Sequence, residues 1–344
     1  MSDKQALSGI DPLRPPSGVY LLRSTDFAAW VYPFGARLMQ VWWLTAPLGP
    51  RPLSLGFKSP TAYHQDTMAM GAVCGRYGNR IAAAQLLHNG QQYALSANHP
   101  LGHCIHGGEF GFGVRHWSLA SHSDRHIELS LHSAHGDQGF PGNCDARIVY
   151  AWMGNNLQWS ATAALDAPCP INLIPHPYWN LEASPSVANH QLQVFGSHYL
   201  PLDNQELPMP LASVIGTAFD YRSKRLVCAP DFDKHIAHFD GAVLLDAQHN
   251  AKPATSSHMT LAAVASVADL QLSVYTDQPF VHLYGASGLS TTAPHLGVAH
   301  TSGAGLCLET ETWPNGPALG QAVWHDKDTP YRHTAHWVFE AQSA

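Results

Sequence analysis

Charged side chains are scarce in this 344-residue sequence. Asp, Glu, Lys and Arg make up 12% of it, about half of the roughly 25% that is usual in globular proteins. Lys and Glu dominate helix surfaces, so their scarcity argues against a mainly helical protein. The 18 basic residues form no run and the formal net charge is −7. The charge pattern therefore predicts no nucleic-acid or anionic-membrane partner.

Long apolar runs are also missing. No segment approaches the roughly 20 apolar residues of a membrane-spanning helix, and residues 1–18 lack the apolar stretch of a secretory signal. The six cysteines include no Cys-x-x-Cys pair, which is typical of reduced, packed thiols. We expect a cytoplasmic protein, although these patterns leave a periplasmic location open.

Motifs for metals, phosphates and activated nucleophiles are absent as well. His132-x-x-His135 and His333-x-x-His336 have short spacings, but no His-Glu-x-x-His accompanies them, and zinc needs three or four ligands in a fixed geometry. Neither Gly-x-x-x-x-Gly-Lys nor Gly-x-Ser-x-Gly occurs. The sequence predicts no metal ion and no cofactor.

Turn residues and alternating segments are abundant. There are 28 glycines and 25 prolines, and many short segments alternate apolar with polar residues, as half-buried strands do. Asn89-Gly90 is typical of a two-residue hairpin. The predicted strands are 38–44, 126–132, 148–152, 157–163, 191–195, 270–276, 280–284 and 335–339. Without a linker or repeat, these patterns predict one β-sandwich domain over residues 1–344, with 1–17 as a flexible lead-in.

Two of the 23 histidines have unusual neighbours. His106 precedes Gly107-Gly108, which allows a backbone or ligand to approach closely. His176 lies between Pro175 and Pro177, which favour extended geometry and fix where the imidazole points. A side chain that titrates near neutral pH and is held rigidly suits proton transfer.

A segment near the C-terminus carries two acidic residues. In Leu306–Pro314, alternation places Cys307, Glu309 and Glu311 on one face. A carboxylate among leucines is costly to bury unless it is paired or functional. The same face could be the solvent side of an edge strand, and the pattern does not rank Glu309 above Glu311.

Two further sites are weaker candidates. Asn79-Arg80 offers a guanidinium fork that suits sugar hydroxyls or a carboxylate, although a surface arginine fits the same pattern. Asp240 precedes Gly241 and a strand-like run, where the capping of a turn is the ordinary explanation.

In order along the chain, these pieces resemble the aldose 1-epimerase (galactose mutarotase) family, over about Gly71 to Trp337. Each motif alone is modest, but their order and spacing together are specific. The motifs are Gly78-Asn79-Arg80-Ile81-Ala82, Asn89-Gly90, Tyr93-x-Leu95, His106-Gly107-Gly108-x-x-Gly111-Phe112, Trp117, Gly139-Phe140-Pro141-Gly142, His176-x-Tyr178-Trp179-Asn180-Leu181, Gly216-Thr217-x-Phe219-Asp220, Phe239-Asp240 and Leu308-Glu309-Thr310-x-x-Trp313-Pro314.

The resemblance implies a large antiparallel β-sandwich of the galactose mutarotase type, with few short helices and an open cleft for a monosaccharide. Glu309 is similar to the family's general base and His176 to its general acid, and we expect the two groups on opposite sides of the C1–O5 unit of the sugar. For Glu309 to stay ionised, we expect Arg80 or nearby donors to limit any rise of its pKa. The positions that match sugar-holding residues are Asn79, Arg80, His106, Asp240 and His282.

The sequence departs from the family pattern around this cleft. Two positions where the family usually has Gln are here Glu311 and His282. Gly241-Ala242 replaces the usual His-Asn, and Pro175 replaces an Asn. A second carboxylate at Glu311 would raise the pKa of Glu309 if it lay close. These substitutions surround the cleft, so we expect differences from the family to concern sugar preference and turnover.

The resemblance predicts an isomerase that interconverts the α and β anomers of a free aldose, such as galactose or glucose, by acid–base ring opening and closure. One alternative is a hexose-6-phosphate 1-epimerase, for which Arg76, Arg115 and Arg147 are the candidate phosphate ligands. Another is a carbohydrate-binding or sensory protein without turnover. We expect a monosaccharide as the partner and a monomer or homodimer.

Overall fold

Strands are the main secondary structure of this computed structural model, which describes residues 10–227, 239–246, 259–290, 296 and 299–342, and many of them alternate buried and exposed side chains. The strand Cys144–Met153 shows the pattern, since every second side chain is buried over ten residues. Such alternation gives a strand one face for the core and one for solvent.

The strands are numbered in chain order through the described residues. The first are β1 (Tyr20–Arg23), β2 (Phe27–Tyr32), β3 (Arg37–Trp43), β4 (Arg51–Pro52), β5 (Val73–Cys74), β6 (Arg80–Ile81), β7 (Gln85–His88), β8 (Gln91–Ala94) and β9 (Cys104–Ile105). Next are β10 (Ser118–Ser123), β11 (His126–Ser133), β12 (Cys144–Met153), β13 (Asn156–Leu165), β14 (Cys169–Pro170), β15 (Ile174–Pro175), β16 (Tyr178–Trp179), β17 (Gln191–Val194), β18 (His198–Leu200) and β19 (Ala212–Ser213). The last are β20 (Arg225–Leu226), β21 (Asp240–Leu244), β22 (Thr260–Ser266), β23 (Leu270–Thr276), β24 (Phe280–Tyr284), β25 (Leu306–Glu311), β26 (Trp324–His325) and β27 (Tyr331–Ala341).

Helical structure is confined to short pieces in the described residues. The α-helix is Gly316–Leu319, and the 3-10 turns are Pro60–Gln65, Ala82–Ala84, Phe112–Val114 and Asp137–Gly139. No helix in these ranges is long and apolar enough to cross a membrane.

Three antiparallel sheets carry most of the strands. A nine-stranded sheet has the order β10-β11-β12-β13-β27-β23-β22-β17-β20, and a six-stranded sheet has the order β16-β25-β24-β21-β18-β19. A four-stranded sheet, β1-β2-β3-β4, is formed by the N-terminal part of the chain. The fold class predicted from the sequence, an antiparallel β-sandwich with few helices, is confirmed.

One apolar core joins the sheets. Trp159 and Trp337 of the nine-stranded sheet belong to the same buried cluster as Leu306, Leu308 and Leu283 of the six-stranded sheet. On β25, the leucines of this cluster alternate with Cys307, Glu309 and Glu311, so the acidic side chains point away from the core. The six-stranded sheet thus presents a polar face on its other side.

Two local predictions can be located directly. Asn89 and Gly90 both have left-handed backbone angles, with φ of 48° and 80°, and join β7 to β8 as a tight hairpin of the predicted type. Residues 1–9 of the predicted lead-in lie outside the described residues. Within the remainder, the Pro12 carbonyl accepts a hydrogen bond from the Trp30 indole at 2.7 Å.

Candidate active site

A cavity of about 580 Å³ opens on the polar face of the six-stranded sheet. This volume is in the range typical of sites for small molecules. Three adjacent strands, β21, β24 and β25, supply Asp240, His282 and Glu309, while the other lining side chains come mainly from segments between strands. All seven residues predicted to form the site line this cavity: Asn79, Arg80, His106, His176, Asp240, His282 and Glu309.

Glu309 and His176 lie side by side in the wall. The Glu309 Oε1 and the His176 Nε2 are 3.3 Å apart, and both side chains are almost completely buried. β25 is flanked by β16 and β24, so the alternative that Glu309 faces solvent from an edge strand is wrong. The alternation that placed Cys307, Glu309 and Glu311 on one face is confirmed.

The segment around His176 is held in extended form on both sides. The His176 amide donates to the Ala72 carbonyl at 3.0 Å, and the His176 carbonyl accepts from the Gly71 amide at 2.9 Å. β15 just before it pairs with β5, whereas β16 just after it pairs with β25. The ring is therefore fixed by backbone hydrogen bonds as well as by its two flanking prolines.

Burial shifts the pKa values of this pair in opposite directions. Loss of solvent raises the pKa of Glu309 to about 8, and the charge of Glu311 adds to the rise while that of His282 opposes it. Burial lowers the pKa of His176 to about 4. We expected Arg80 to limit the rise at Glu309, but its effect is smaller than those of His282, Glu311 and Asp240. Both side chains favour their neutral forms in the ligand-free protein.

His106 occupies a strained turn that brings it to the cavity. Its φ is 53°, and its Nδ1 accepts a hydrogen bond from the Asn79 amide at 3.2 Å, which places the remaining ring proton on Nε2. A Cβ on Gly107 would lie 1.9 Å from the Gly75 carbonyl oxygen, so the first of the paired glycines is needed for a close backbone approach.

Arg80 is buried, with 8% of the residue exposed. Its Nη2 lies 2.5 Å from the Glu206 Oε2 and 3.7 Å from the Asp240 Oδ2. The alternative of an ordinary surface arginine is therefore wrong. Asn79 is also buried, and its side-chain oxygen accepts from the Arg80 amide at 2.8 Å, which fixes the direction of its side-chain amide nitrogen.

Asp240, His282 and Glu311 form a line across three strands. The His282 Nε2 is 2.6 Å from the Asp240 Oδ1, and the His282 Nδ1 is 3.2 Å from the Glu311 Oε1. Burial opposes the charge on His282, but hydrogen bonds to the two carboxylates raise its pKa well above the usual value. Burial likewise opposes the charge on Asp240, but the hydrogen bond from His282 and the charges of His282 and Arg80 lower its pKa to about 2. Asp240 thus faces the cavity instead of only capping a turn.

Comparison with known proteins identifies the family of the chain. The family model described as Aldose 1-epimerase matches residues 18–339. The chain belongs to the aldose 1-epimerase family. It is 36% identical to the aldose 1-epimerase of Escherichia coli K12 over 274 residues, 78% of each chain. It is 32% identical to the human galactose mutarotase over 292 residues, 83% of each chain.

Solved structures show the same fold. An aldose epimerase homologue from C. elegans superposes with a TM-score of 0.84 at 24% identity, covering 95% of this chain and 99% of that one. The galactose 1-epimerase of Lactobacillus acidophilus NCFM gives a TM-score of 0.80 at 26% identity, covering 94% and 95%. The predicted membership of the aldose 1-epimerase family is confirmed.

Sequence reasoning missed two polar residues of this aldose 1-epimerase site. Glu206 reaches Arg80 from the loop between β18 and β19, and it has a φ of 58°; a polar loop gives no signal for such a contact. Asn172 donates to the buried Glu311 Oε2 at 3.3 Å. It follows β14 in a chain segment that carries no chemical motif.

Cys307 completes a group of possible metal ligands. Its Sγ is 3.6 Å from the His176 Nδ1, and ligand atoms of His176, Cys307 and Glu309 lie within 4.8 Å of one another. Burial raises the pKa of the Cys307 thiol well above its usual value. A protonated thiol is a poor ligand and a poor nucleophile, so this group favours proton exchange over metal binding.

The arginines considered for a phosphate lie elsewhere. Arg76 is buried and donates to Ser133 and to backbone carbonyls, whereas Arg115 pairs with Asp137 and Arg147 with Glu128. None of the three lines the cavity.

Proposed function

We propose that this protein is a mutarotase, an isomerase that interconverts the α and β anomers of a free aldose of the galactose or glucose class. The observation that carries the proposal is the contact between Glu309 and His176 at 3.3 Å in the wall of a cavity lined by polar groups. The family membership supports the same reaction.

Anomer exchange needs only proton transfers. Removal of the proton from the C1 hydroxyl and protonation of the ring oxygen break the C1–O5 bond and give the open-chain aldehyde. Rotation about C1–C2 and the reverse transfers close the ring with the opposite configuration. Positioned general acids and bases each contribute about 10²–10⁴-fold to such steps. We assign Glu309 to the C1 hydroxyl and His176 to the ring oxygen.

The adjacent placement of the two groups changes the expected mode of binding. A sugar cannot fit between atoms 3.3 Å apart, so the acid and the base do not hold it from opposite flanks, as we had expected. O1 and O5 are both bonded to C1, so a neighbouring carboxylate and imidazole can reach both from one side. The sugar would then lie over the pair with its other hydroxyls toward the open cavity.

One shared proton suffices for the cycle. The directions of the two pKa shifts favour this proton on Glu309 in the ligand-free protein, and its transfer to His176 gives the carboxylate and imidazolium needed for ring opening. Ring closure uses the groups in the reverse sense, so acid and base exchange roles within each turnover.

The remaining cavity groups suit sugar hydroxyls. Asp240 accepts hydrogen bonds, His106 offers an Nε2–H, and Asn79 and Arg80 donate. The two arginines that line the cavity are already paired, Arg37 with Asp66 at 2.7 Å and Arg80 with Glu206. This pairing favours a neutral sugar over a hexose 6-phosphate.

The deciding experiment is polarimetry on freshly dissolved α-glucose and α-galactose. Glu309→Gln should lose nearly all acceleration of anomer exchange and still bind sugar, because an amide keeps the shape but cannot carry the proton. Glu340→Gln, at an exposed site on β27, is the matched control and should keep the wild-type rate.

Two outcomes contradict the proposal. Full activity of Glu309→Gln would remove the carboxylate from the mechanism. Sugar binding by the wild type without acceleration, measured by exchange NMR, would favour the carbohydrate-binding or sensory alternative.

Cellular location and assembly are secondary proposals. The five cysteines within the described residues are free and buried, which supports the cytoplasm as the location. We propose a monosaccharide as the small-molecule partner, no nucleic-acid or membrane partner, and a monomer or homodimer as the assembly. Light scattering after size-exclusion chromatography would measure the assembly.

A further inference from the structure

Glu311 is the most deeply buried carboxylate of the cavity region, with no exposed surface. Asn79 and Asn172 each donate to it at 3.3 Å, but both amides are neutral. Among the described residues in contact with it, the cationic partner is His282, whose Nδ1 lies 3.2 Å from its Oε1. A buried carboxylate without a compensating cation is strongly disfavoured, so Glu311 depends on this ring.

His282 is enclosed by carboxylates on both sides. Its Nε2 is 2.6 Å from Asp240, and its Nδ1 faces Glu311. An imidazole donates from both nitrogens only when it carries a positive charge. The Asn79 Nδ2 also lies 3.2 Å from the His282 Nδ1, but it donates to the Glu311 Oε1. Both N–H groups of the charged ring are then occupied by carboxylates, and no ring nitrogen remains for a sugar hydroxyl.

The sheet register creates this arrangement. His282 lies opposite Ala242 on β21 and opposite Glu309 on β25. Asp240 and Glu311 are each two residues from those partners, so they lie on the same face of the sheet and diagonal to His282. The ring is thus directly beside the base and between the two other carboxylates.

We propose that His282 and Glu311 act as one unit, a buried imidazolium–carboxylate pair that holds Asp240 in place for the sugar and balances the negative charge next to Glu309. His282 is then a positioning residue that acts through Asp240 and Glu309, in place of the direct sugar contact predicted for it. This inference rests on the proposed mutarotase function.

The proposal predicts opposite effects of the two residues on Glu309. The His282 charge stabilises the ionised form of Glu309, whereas the Glu311 charge destabilises it. The alkaline limb of the rate profile is the fall of the rate at high pH, where Glu309 and His176 lose their shared proton. Loss of His282 should therefore move this limb to higher pH, and loss of Glu311 should move it to lower pH. The titratable and charged groups that surround the pair are Tyr77, Arg80, His106, His176, Asp240, Cys307 and Glu309.

The test is a double-mutant cycle with His282→Gln, Glu311→Gln and the double variant, with Glu340→Gln as control. We expect His282→Gln to lower the exchange rate about tenfold or more and to raise KM, because Glu311 and Asp240 lose their buried partner. The alkaline limbs of the single variants should shift by about one pH unit in opposite directions. The double variant should have an exchange rate and an alkaline limb closer to those of the wild type, because the unpaired charge of Glu311 is gone.

The proposal would be overturned if the alkaline limbs of the two single variants moved in the same direction or stayed fixed. It would also be overturned if the exchange rate of the double variant were no higher than that of His282→Gln. A measurement on the wild type alone covers the case in which a variant does not fold. Nitrogen NMR should find the His282 ring doubly protonated at pH 8, and a neutral ring there would overturn the proposal.

The same NMR experiment separates this proposal from the proposed function. If the wild type does not accelerate anomer exchange, the mutarotase function fails. The charge state of His282 can still be read in that protein, so failure of the pair and failure of the function are distinguishable.

Discussion

At the scale of single residues, the main feature is a proton confined between two buried groups. Water normally stabilises the charges of a carboxylate and an imidazolium, and burial removes that stabilisation from both Glu309 and His176. Two groups 3.3 Å apart titrate as a pair. The protonation states of the pair therefore hold two protons, one proton or none. Only the pair with one proton contains both an acid and a base.

Because only this state is active, we expect a rate profile with two limbs. The rate should fall above about pH 8 as the pair loses its last proton, and below about pH 4 as His176 takes up a second one. The measurement is the enzymatic rate of anomer exchange across pH, after subtraction of the spontaneous rate, since acid and hydroxide also open the ring. A flat profile from pH 5 to 9 would contradict the assignment.

At the scale of elements, one strand serves both the core and the cavity. On β25 the cavity side carries Glu309, while Thr310 points to the core, where its hydroxyl lies 2.8 Å from the His333 Nε2. The His333 Nδ1 lies 2.9 Å from the Leu173 carbonyl. Since Nδ1 must donate to that carbonyl, Nε2 accepts from Thr310, and this hydrogen bond links the two large sheets.

Thr310→Val should separate stability from activity. The change removes the donor to a buried nitrogen and should lower the free energy of unfolding by about 1–3 kcal/mol. KM should stay near the wild-type value, because the side chain lies on the face opposite the cavity. Urea unfolding and sugar kinetics on the same preparation would check this, with Thr334→Val on β27 as a less buried comparison. A large rise in KM with unchanged stability would mean that the face assignment is wrong.

The elements also show what the sequence could predict. Alternation located eight of the strands and the cavity face of β25, because side-chain direction follows a two-residue period whatever the partner strand. It could not give the register that sets His282 opposite Glu309, since the pairing of distant strands depends on the whole sheet. For the same reason, Glu311 and His282 were read from the sequence as separate departures and not as a pair. The contact from Glu206 depends on a loop conformation that no local pattern specifies.

At the scale of the whole molecule, the fold buries several histidines in their neutral form. Burial lowers the pKa values of His176, His190 and His333 to about 4, at three different places in the structure. In an unfolded chain these groups titrate near 6.5. Between these values the unfolded chain holds protons that the folded protein does not, so each histidine makes folding less favourable as the pH falls. Glu309 acts in the opposite sense, because its raised pKa lets the folded protein take up a proton first.

His190 isolates this effect, since it lies outside the cavity and its Nε2 accepts from the Leu181 amide at 2.8 Å. His190→Gln keeps an acceptor for that amide but removes the titration. Between pH 7 and pH 5 the wild type should lose about 1–2 kcal/mol more unfolding free energy than the variant, as measured by urea unfolding at both values. Taking the difference between the two proteins cancels the opposing contribution of Glu309. Equal losses in both would show that His190 titrates in the folded protein as it does in the unfolded chain, and that burial at this position does not exclude its charge.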